Sequence, residues 1–250
     1  MRGRLVVVLC AGLSVATSVW AQSGPYVAPE YFHWRESYRN IDVTETGWRV
    51  VLGYRERGQR ERSGIVFPGD FRVYGGTADY DGFLQTSHGL IPHKTQTDYA
   101  GLAAEVGVGY QWRLGTDYTL TPYGSVIGDF WWRGLQGQGG YDELWWTVPL
   151  RVGLELGAPG NHGWLAGVSL KAPVYTQVSS DDIPGIGSST SHPKTKLSGD
   201  AELGYRLNKR LSLLGFFESY WFGRSSVNSS GVFQPESKMY TAGLKAVLHF

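Results

Sequence analysis

The feature that most constrains this chain is a period of two that runs to its last residue. Tyr240, Ala242, Leu244, Ala246, Leu248 and Phe250 share one parity, and Thr241, Gly243, Lys245, Val247 and His249 the other. Successive side chains of a strand point to opposite faces, so this segment is a strand with one apolar and one polar face. The pattern recurs upstream. Ala201, Leu203, Tyr205 and Leu207 alternate with Asp200, Glu202, Gly204 and Arg206. Trp164, Ala166, Val168, Leu170 and Ala172 alternate with Gly167, Ser169 and Lys171. Leu144, Trp146, Val148, Leu150, Val152, Leu154 and Leu156 alternate with Thr147, Arg151, Gly153 and Glu155. Leu120, Val126, Phe130 and Trp132 oppose Thr121, Ser125, Asp129 and Arg133. Leu102, Ala104, Val106, Val108, Tyr110 and Trp112 oppose Ala103, Glu105, Gly107, Gly109 and Gln111. Trp48, Val50, Leu52 and Tyr54 oppose Arg49, Val51, Gly53 and Arg55. Glu218 assigns the even positions of 211–224 to the polar face. Tyr74, Ala78 and Tyr80 are assigned to the apolar face and Thr77, Asp79 and Asp81 to the polar one, while the facing of 31–38 stays open.

This predicts an all-β chain of about ten strands, with eight and twelve as the neighbouring even counts. Connections support it. Residues 115–118, 158–163 and 208–210 are short links, and 85–97, 177–196 and 225–237 are long ones, in alternation. Residues 135–141 and 41–46 read as shorter links at the long-loop end, and 58–69 as a long link at the other. Alternating short turns and long loops suit a single antiparallel up-and-down membrane barrel.

The N-terminus has a short basic stretch at Arg2 and Arg4, an apolar run from Leu5 to Ala16, and small residues near Ala21. That is the pattern of a secretory signal, with cleavage expected after Ala21 and a barrel domain over 22–250. Cys10, the only cysteine, falls within the signal, so no thiol chemistry is expected of the mature chain. Removing Arg2 and Arg4 leaves 21 basic residues against 22 acidic, a formal charge of −1, which argues against nucleic acid as partner. Charged residues are only 18% of the chain, against about 25% in ordinary soluble domains.

A soluble barrel would also alternate, with its apolar face inward. The thinly charged polar face argues against that reading, as does the placement of tryptophan. Trp131, Trp132, Trp145, Trp146 and Trp221 lie near predicted long-loop ends, and Trp112 and Trp164 beside short turns. Two such levels are what membrane interfaces select, so these seven are expected to form aromatic girdles.

The terminal segment Tyr240-x-Ala242-x-Leu244-x-Ala246-x-Leu248-x-Phe250 resembles the C-terminal signature of Gram-negative outer-membrane β-barrels. The general pattern is similar to that of small barrels of the OmpA or OmpX type. The resemblance implies residence in outer-membrane lipid. It also implies recognition of Tyr240, Leu244, Leu248 and Phe250 by the outer-membrane assembly machinery.

With the apolar face on lipid, the polar face lines the lumen. That lining is predicted to hold Arg49, Asp79, Glu105, Asp129, Arg133, Arg151, Glu155, Lys171, Asp200, Glu202, Arg206, Glu218 and Lys245. In so narrow a barrel these charges are expected to pair into a plug. A narrow porin-like path for ions or small solutes is the competing reading. Loops 85–97, 177–196 and 225–237 offer a surface for a ligand outside the cell. No enzyme, cofactor or metal site is expected. Asp79, Asp81, His88, His93, Asp98, Asp181, Asp182 and His192 gather near predicted loops, as in omptin-like proteases, but their spacing matches no omptin motif. A lipid-modifying enzyme would want a serine–histidine pair, and Ser87-His88 and Ser191-His192 are chain neighbours that face opposite ways on a strand.

Deleting Phe250 is expected to lower the yield of heat-modifiable, membrane-inserted barrel. An unchanged yield would remove the assembly role of the terminal aromatic.

Overall fold

The computed structural model describes residues 23–38, 41–57, 63–86, 89–137, 139–158, 160–183, 187–229 and 231–249. The expected signal segment and Phe250 therefore lie outside the described residues. Thirteen strands follow one another: β1 (Gly24–Tyr38), β2 (Ile41–Glu56), β3 (Gly64–Val66), β4 (Gly69–Thr86), β5 (Gly89–Leu114), β6 (Tyr118–Leu135), β7 (Asp142–Gly157), β8 (Gly163–Ile183), β9 (Gly187–Ser191), β10 (Lys194–Thr195), β11 (Ser198–Asn208), β12 (Leu211–Gly223) and β13 (Glu236–Leu248).

Ten of them close an antiparallel ring in the order β1-β2-β4-β5-β6-β7-β8-β11-β12-β13, with β13 paired back to β1. Closure leaves no free sheet edge, the condition for strands to sit in lipid. The short strands are annexes of this ring. β3 meets β5 at Val66↔Gly109, in line with the β4 pairing Gly69↔Val106. Pro68, which has no N–H to donate, sits at the interruption. β9 folds back on β8, and β10 pairs β12 beyond the end of the β11 ladder.

The outward face is apolar. Val50, Leu52, Val106, Val152, Val168, Leu203 and Leu244 all stand exposed around the wall, a surface that lipid rather than water would cover. Aromatic residues rim it at two levels. Trp48 and Trp146 are exposed toward the loop end, where Trp48 meets Tyr31 and Trp146 meets Tyr175 edge-on. Trp112 and Trp164 are exposed toward the turn end, beside Tyr110 and Tyr205. Trp132 and Trp221 point outward at the loop-end level and are partly covered.

Two features depart from the sequence reading. The strands are longer than the ~9–11 residues a bilayer requires. β5 has 26 residues and β8 has 21. The short links keep one end level, so the surplus rises at the loop end. Residues 41–46 and 89–97 are therefore strand rather than loop, and 177–196 holds the end of β8 with β9 and β10. The second departure is the facing of β4. Ala78 and Tyr80 are buried inward, and Asp79 and Asp81 are exposed on the outer face. At this height the outer face meets water rather than lipid, so acids there carry no inward signal. Lower on the same strand, Asp70 and Arg72 give the true phase, because both engage lumen partners.

Glycine sets the fit where lumen tyrosines lie flat on a neighbouring strand. A Cβ at Gly101 would stand 2.4 Å from the Tyr74 ring, and one at Gly153 would stand 2.6 Å from that of Tyr123.

Val126 is on the outer face in mid-strand, opposite Val106 and Leu150. Val126→Arg is expected to cost about 2–4 kcal/mol near the bilayer midplane. Ser125→Arg, on the inner face, avoids that lipid penalty. Folding into vesicles with the opposite order of stability would invert the assignment of inside and outside.

Candidate functional site: the lumen

The inward residues fill the barrel in three tiers. The loop-end tier is aromatic. Phe32, Trp34, Ala78, Tyr99, Trp131, Trp145, Val178, Tyr220, Phe222 and Met239 form one buried cluster. They come from eight of the ten ring strands, so the tier spans the lumen from wall to wall. Trp131 stacks on Trp145 with centroids 5.2 Å apart, and Trp34 meets Trp145 edge-on at 5.0 Å. Trp131 and Trp145 are therefore plug residues, not girdle residues. Each precedes a tryptophan that does face outward, and adjacent strand positions must point opposite ways.

One guanidinium organises the polar groups of this tier. Arg133 donates to Glu45 through Nε at 2.9 Å and to Glu143 at 2.7 Å, and lies 3.8 Å from Glu36. Its Nη2 also contacts Glu45. All four residues are buried. Aromatic donors take further carboxylate lone pairs: Tyr99 bonds Glu45, Trp34 bonds Glu36 at 3.1 Å, and Trp145 bonds Glu143 at 2.9 Å. Gln234 reaches in from the β12–β13 link to Glu36 at 2.8 Å.

The middle tier is a chain of ion pairs. Arg49 binds Glu30 and lies over the Phe32 ring, 4.4 Å from its centroid. Arg72 makes a two-pronged contact with Glu218, at 2.7 and 3.0 Å. Lys171 bridges Glu218 at 2.6 Å and Asp200 at 2.9 Å. Arg151 bridges Asp200 at 2.8 Å and Glu105 at 2.7 Å. Asp129 accepts from Tyr74 and Tyr220, which ties the chain to the aromatic tier.

The turn-end tier is looser. Glu202 pairs with Lys245 at 2.5 Å and Arg55 at 3.1 Å, and Glu155 lies 3.2 Å from Arg57. A cavity of about 20 Å³ lies there among Arg55, Glu155, Glu202 and His249, and one of about 70 Å³ extends from Arg57 and Glu202 up into the middle tier, where Arg72, Arg151 and Glu218 line it. Arg206 is buried and donates to the Gly160 carbonyl.

The structure thus brings every predicted lumen charge inward except Asp79. It adds Glu30, Glu36, Glu45, Arg55, Arg57, Asp70, Arg72 and Glu143 to them. Glu30 and Glu36 lie on β1, whose facing was open, and Glu45 lies in residues read as a link. Arg72 shares the parity of Tyr74, which the sequence reading places on the apolar face and which the structure turns inward onto Asp129.

The rim does not assemble the Asp and His residues into a visible pair. Asp81 binds Lys94, Asp98 accepts from Gln136, and His93 packs near Tyr80. His192 lies against Tyr175, with Nδ1 3.2 Å from the Thr176 carbonyl. Asp181 is exposed, and Ser87, His88 and the Asp182 side chain lie outside the described residues. Among the described residues no cluster of metal-ligating type occurs. On the exposed loop-end rim, hydrogen bonds from Arg35 and Ser37 hold the Asp42 carboxyl below its usual range. A hydrogen bond from Lys196 does the same for Glu236.

No protein-family model matches the chain, and no curated protein matches it. Solved structures do. The outer membrane protease OmpT of Escherichia coli superposes with a TM-score of 0.57 at 10% identity, covering 91% of this chain and 96% of that one. The fold is that of an outer-membrane β-barrel. The transport unit of the Escherichia coli autotransporter AIDA-I aligns over 91% of this chain and 90% of its own, at TM-score 0.43 and 9% identity. The β domain of the Bordetella autotransporter BrkA aligns over 90% and 99%, at TM-score 0.42 and 13% identity.

Replacing Arg133 with methionine would leave Glu36, Glu45 and Glu143 buried without their shared cation. The barrel is expected to lose about 3–5 kcal/mol of unfolding free energy in detergent or vesicles. Lys94→Met, which removes an exposed pair with Asp81, is the control and should leave stability unchanged. Equal effects of the two would show that the Arg133 cluster is solvated.

Proposed function

We propose that the chain is a resident of the Gram-negative outer membrane with a closed lumen, and that its role is structural or interactive at the cell surface. The observation that carries this reading is the double closure of the barrel. A wall-to-wall aromatic tier lies above a chain of ion pairs from Arg72 to Arg151. A solute crossing the lumen would have to unstack the first and desolvate the second. The fold shared with OmpT and the two aromatic levels support the location. In this reading the short links face the periplasm and the long ones the exterior.

The surface available to a partner is the loop end. It carries the β4–β5 hairpin, the β8–β9 hairpin and the 224–235 link. Asn228 ties two of these together through Ser189 at 2.6 Å and the Thr190 carbonyl at 3.0 Å. The proposal includes no catalytic step. The separate engagement of Asp81, Asp98, His93 and His192 supports that part of it.

Planar-bilayer recording is the test. The wild-type protein is expected to give at most a small leak. Arg151→Ala should strand Glu105, while Asp200 keeps Lys171, with a stability loss of about 3–5 kcal/mol and little added current. A large, ion-selective current, shifted by Arg151→Ala at near-native stability, would replace this reading with the narrow channel.

A further inference from the structure

The outer wall carries one arrangement twice, with opposite sign. On β7 and β8, Asp142 and Asp181 are direct partners in the ladder. Both are exposed and point outward, because Glu143 and Ser180 beside them are buried in the lumen. Asp98, which accepts from Gln136, prolongs this acidic rung across Gly134. Lys94, on the same side of the barrel, is held by Asp81 at 2.6 Å. On β13 and β1, Lys238 and Arg35 are direct partners. They too point outward, since Ser237, Met239, Trp34 and Glu36 are buried inside. Side chains directly opposite on antiparallel strands stand about 4.5–5.5 Å apart, and like charges so placed are destabilising. Neighbouring acids answer the basic pair only in part. Asp42 contacts Arg35 at 2.7 Å, but both are exposed and water screens them. Glu236 lies 3.9 Å from Lys238 and binds Lys196 more closely, at 2.7 Å.

Both pairs stand above the loop-end aromatic level. Asp142 lies beyond Trp146 on β7, and Arg35 beyond Tyr31 on β1, toward the long links. There the strands have risen out of lipid into water. Around the ring, β11 and β12 separate the two pairs on one side, and β2, β4, β5 and β6 on the other. The pairs therefore sit on nearly opposite faces of the barrel, and one copy offers both at once. A phosphate-bearing lipid would answer Arg35 and Lys238 and leave the aspartates facing like charge. A second copy of the chain answers both.

We propose that the barrels associate side by side in the membrane, with Asp142 and Asp181 of one copy against Arg35 and Lys238 of the next. Two anions at ladder spacing meet two cations at the same spacing. The two surfaces differ and lie on different faces, so the contact is heterologous and extends into rows rather than stopping at a two-fold dimer. The bilayer already fixes the height and direction of each copy, which lowers the orientational cost of the contact. The inference rests on the outer-membrane reading, because neighbouring copies must cross with their long links on the same side.

The test is cross-linking of the full chain folded into phosphatidylcholine vesicles. A zero-length carbodiimide joins carboxylates to amines that touch. The wild type is expected to give a ladder of dimers and larger species at low salt. The ladder should vanish at about 1 M salt, where charges are screened within about 3 Å. Asp142→Lys with Asp181→Lys leaves two basic faces, and Arg35→Glu with Lys238→Glu leaves two acidic ones. Each double variant alone should lose the ladder at least tenfold, and mixing the two in one vesicle should restore cross-linked pairs. Heat-modifiable mobility checks insertion. Should one double variant not insert, the other and the salt dependence of the wild type decide. A chain that does not insert at all would overturn the outer-membrane reading and this contact together. Inserted barrels that stay monomeric at low salt, or a mixture that restores nothing, would overturn the contact alone. Monomers that retain an added phosphate-bearing lipid, and lose it with Arg35→Glu and Lys238→Glu, would put the lipid in place of the second copy.

Discussion

Everything in this barrel follows from the satisfaction of backbone hydrogen bonds away from water. An open sheet in lipid would leave a row of N–H and C=O groups unpaired, at several kcal/mol each. Pairing β13 with β1 removes that row. Closure then dictates side-chain chemistry. Every second residue must suit hydrocarbon, and the alternate residues are sent into a space with limited room for water. The long ladder of β4 on β5, from Gly69↔Val106 to Thr86↔Gly89, shows how far one register is kept once it is set.

The lumen meets that second demand by sharing ions. Arg72, Arg133, Arg151 and Lys171 each contact more than one acid, and several of its acids contact more than one cation. Glu218 accepts from Arg72 and Lys171, and Asp200 from Arg151 and Lys171. A network of this kind offsets desolvation only when nearly complete, and an isolated buried pair of the same residues would be weak evidence of stability. The aromatic tier adds donors as well as volume. Trp34 and Trp145 meet edge to face and at the same time hydrogen-bond Glu36 and Glu143. The loop-end plug is therefore one unit of rings and charges, not an apolar cap set beside a salt bridge.

Much of this was legible in the sequence, and the reasons for the rest are specific. Period-two facing was readable wherever the outer face meets lipid, as along β5, β7 and β13. It failed at the upper end of β4, where Asp79 and Asp81 stand above the girdle and both faces are polar-compatible. Strand ends failed in the same region, because residues 41–46 and 89–97 lack the apolar parity that lipid imposes. Trp131 and Trp145 were misread because position near a strand end was weighed above parity. Each sits beside a tryptophan of opposite facing, and parity alone would have separated inward Trp131 from outward Trp132. Glu45 and Arg133 are 88 residues apart, so no local pattern could have shown their contact.

The two ends of the lumen answer the cost of buried charge in opposite ways. At the loop end, acids exceed cations around Arg133, and rigid neutral donors from tyrosine, tryptophan and Gln234 make up the difference. Those donors are buried with the acids they serve. At the turn end Arg55 and Lys245 share Glu202, Arg57 faces Glu155, and Arg206 donates to the Gly160 carbonyl. The cavities lie in the middle and turn-end tiers, away from the aromatic cluster. Unfilled space therefore collects where flexible charged side chains line the lumen, and not where rings pack between them.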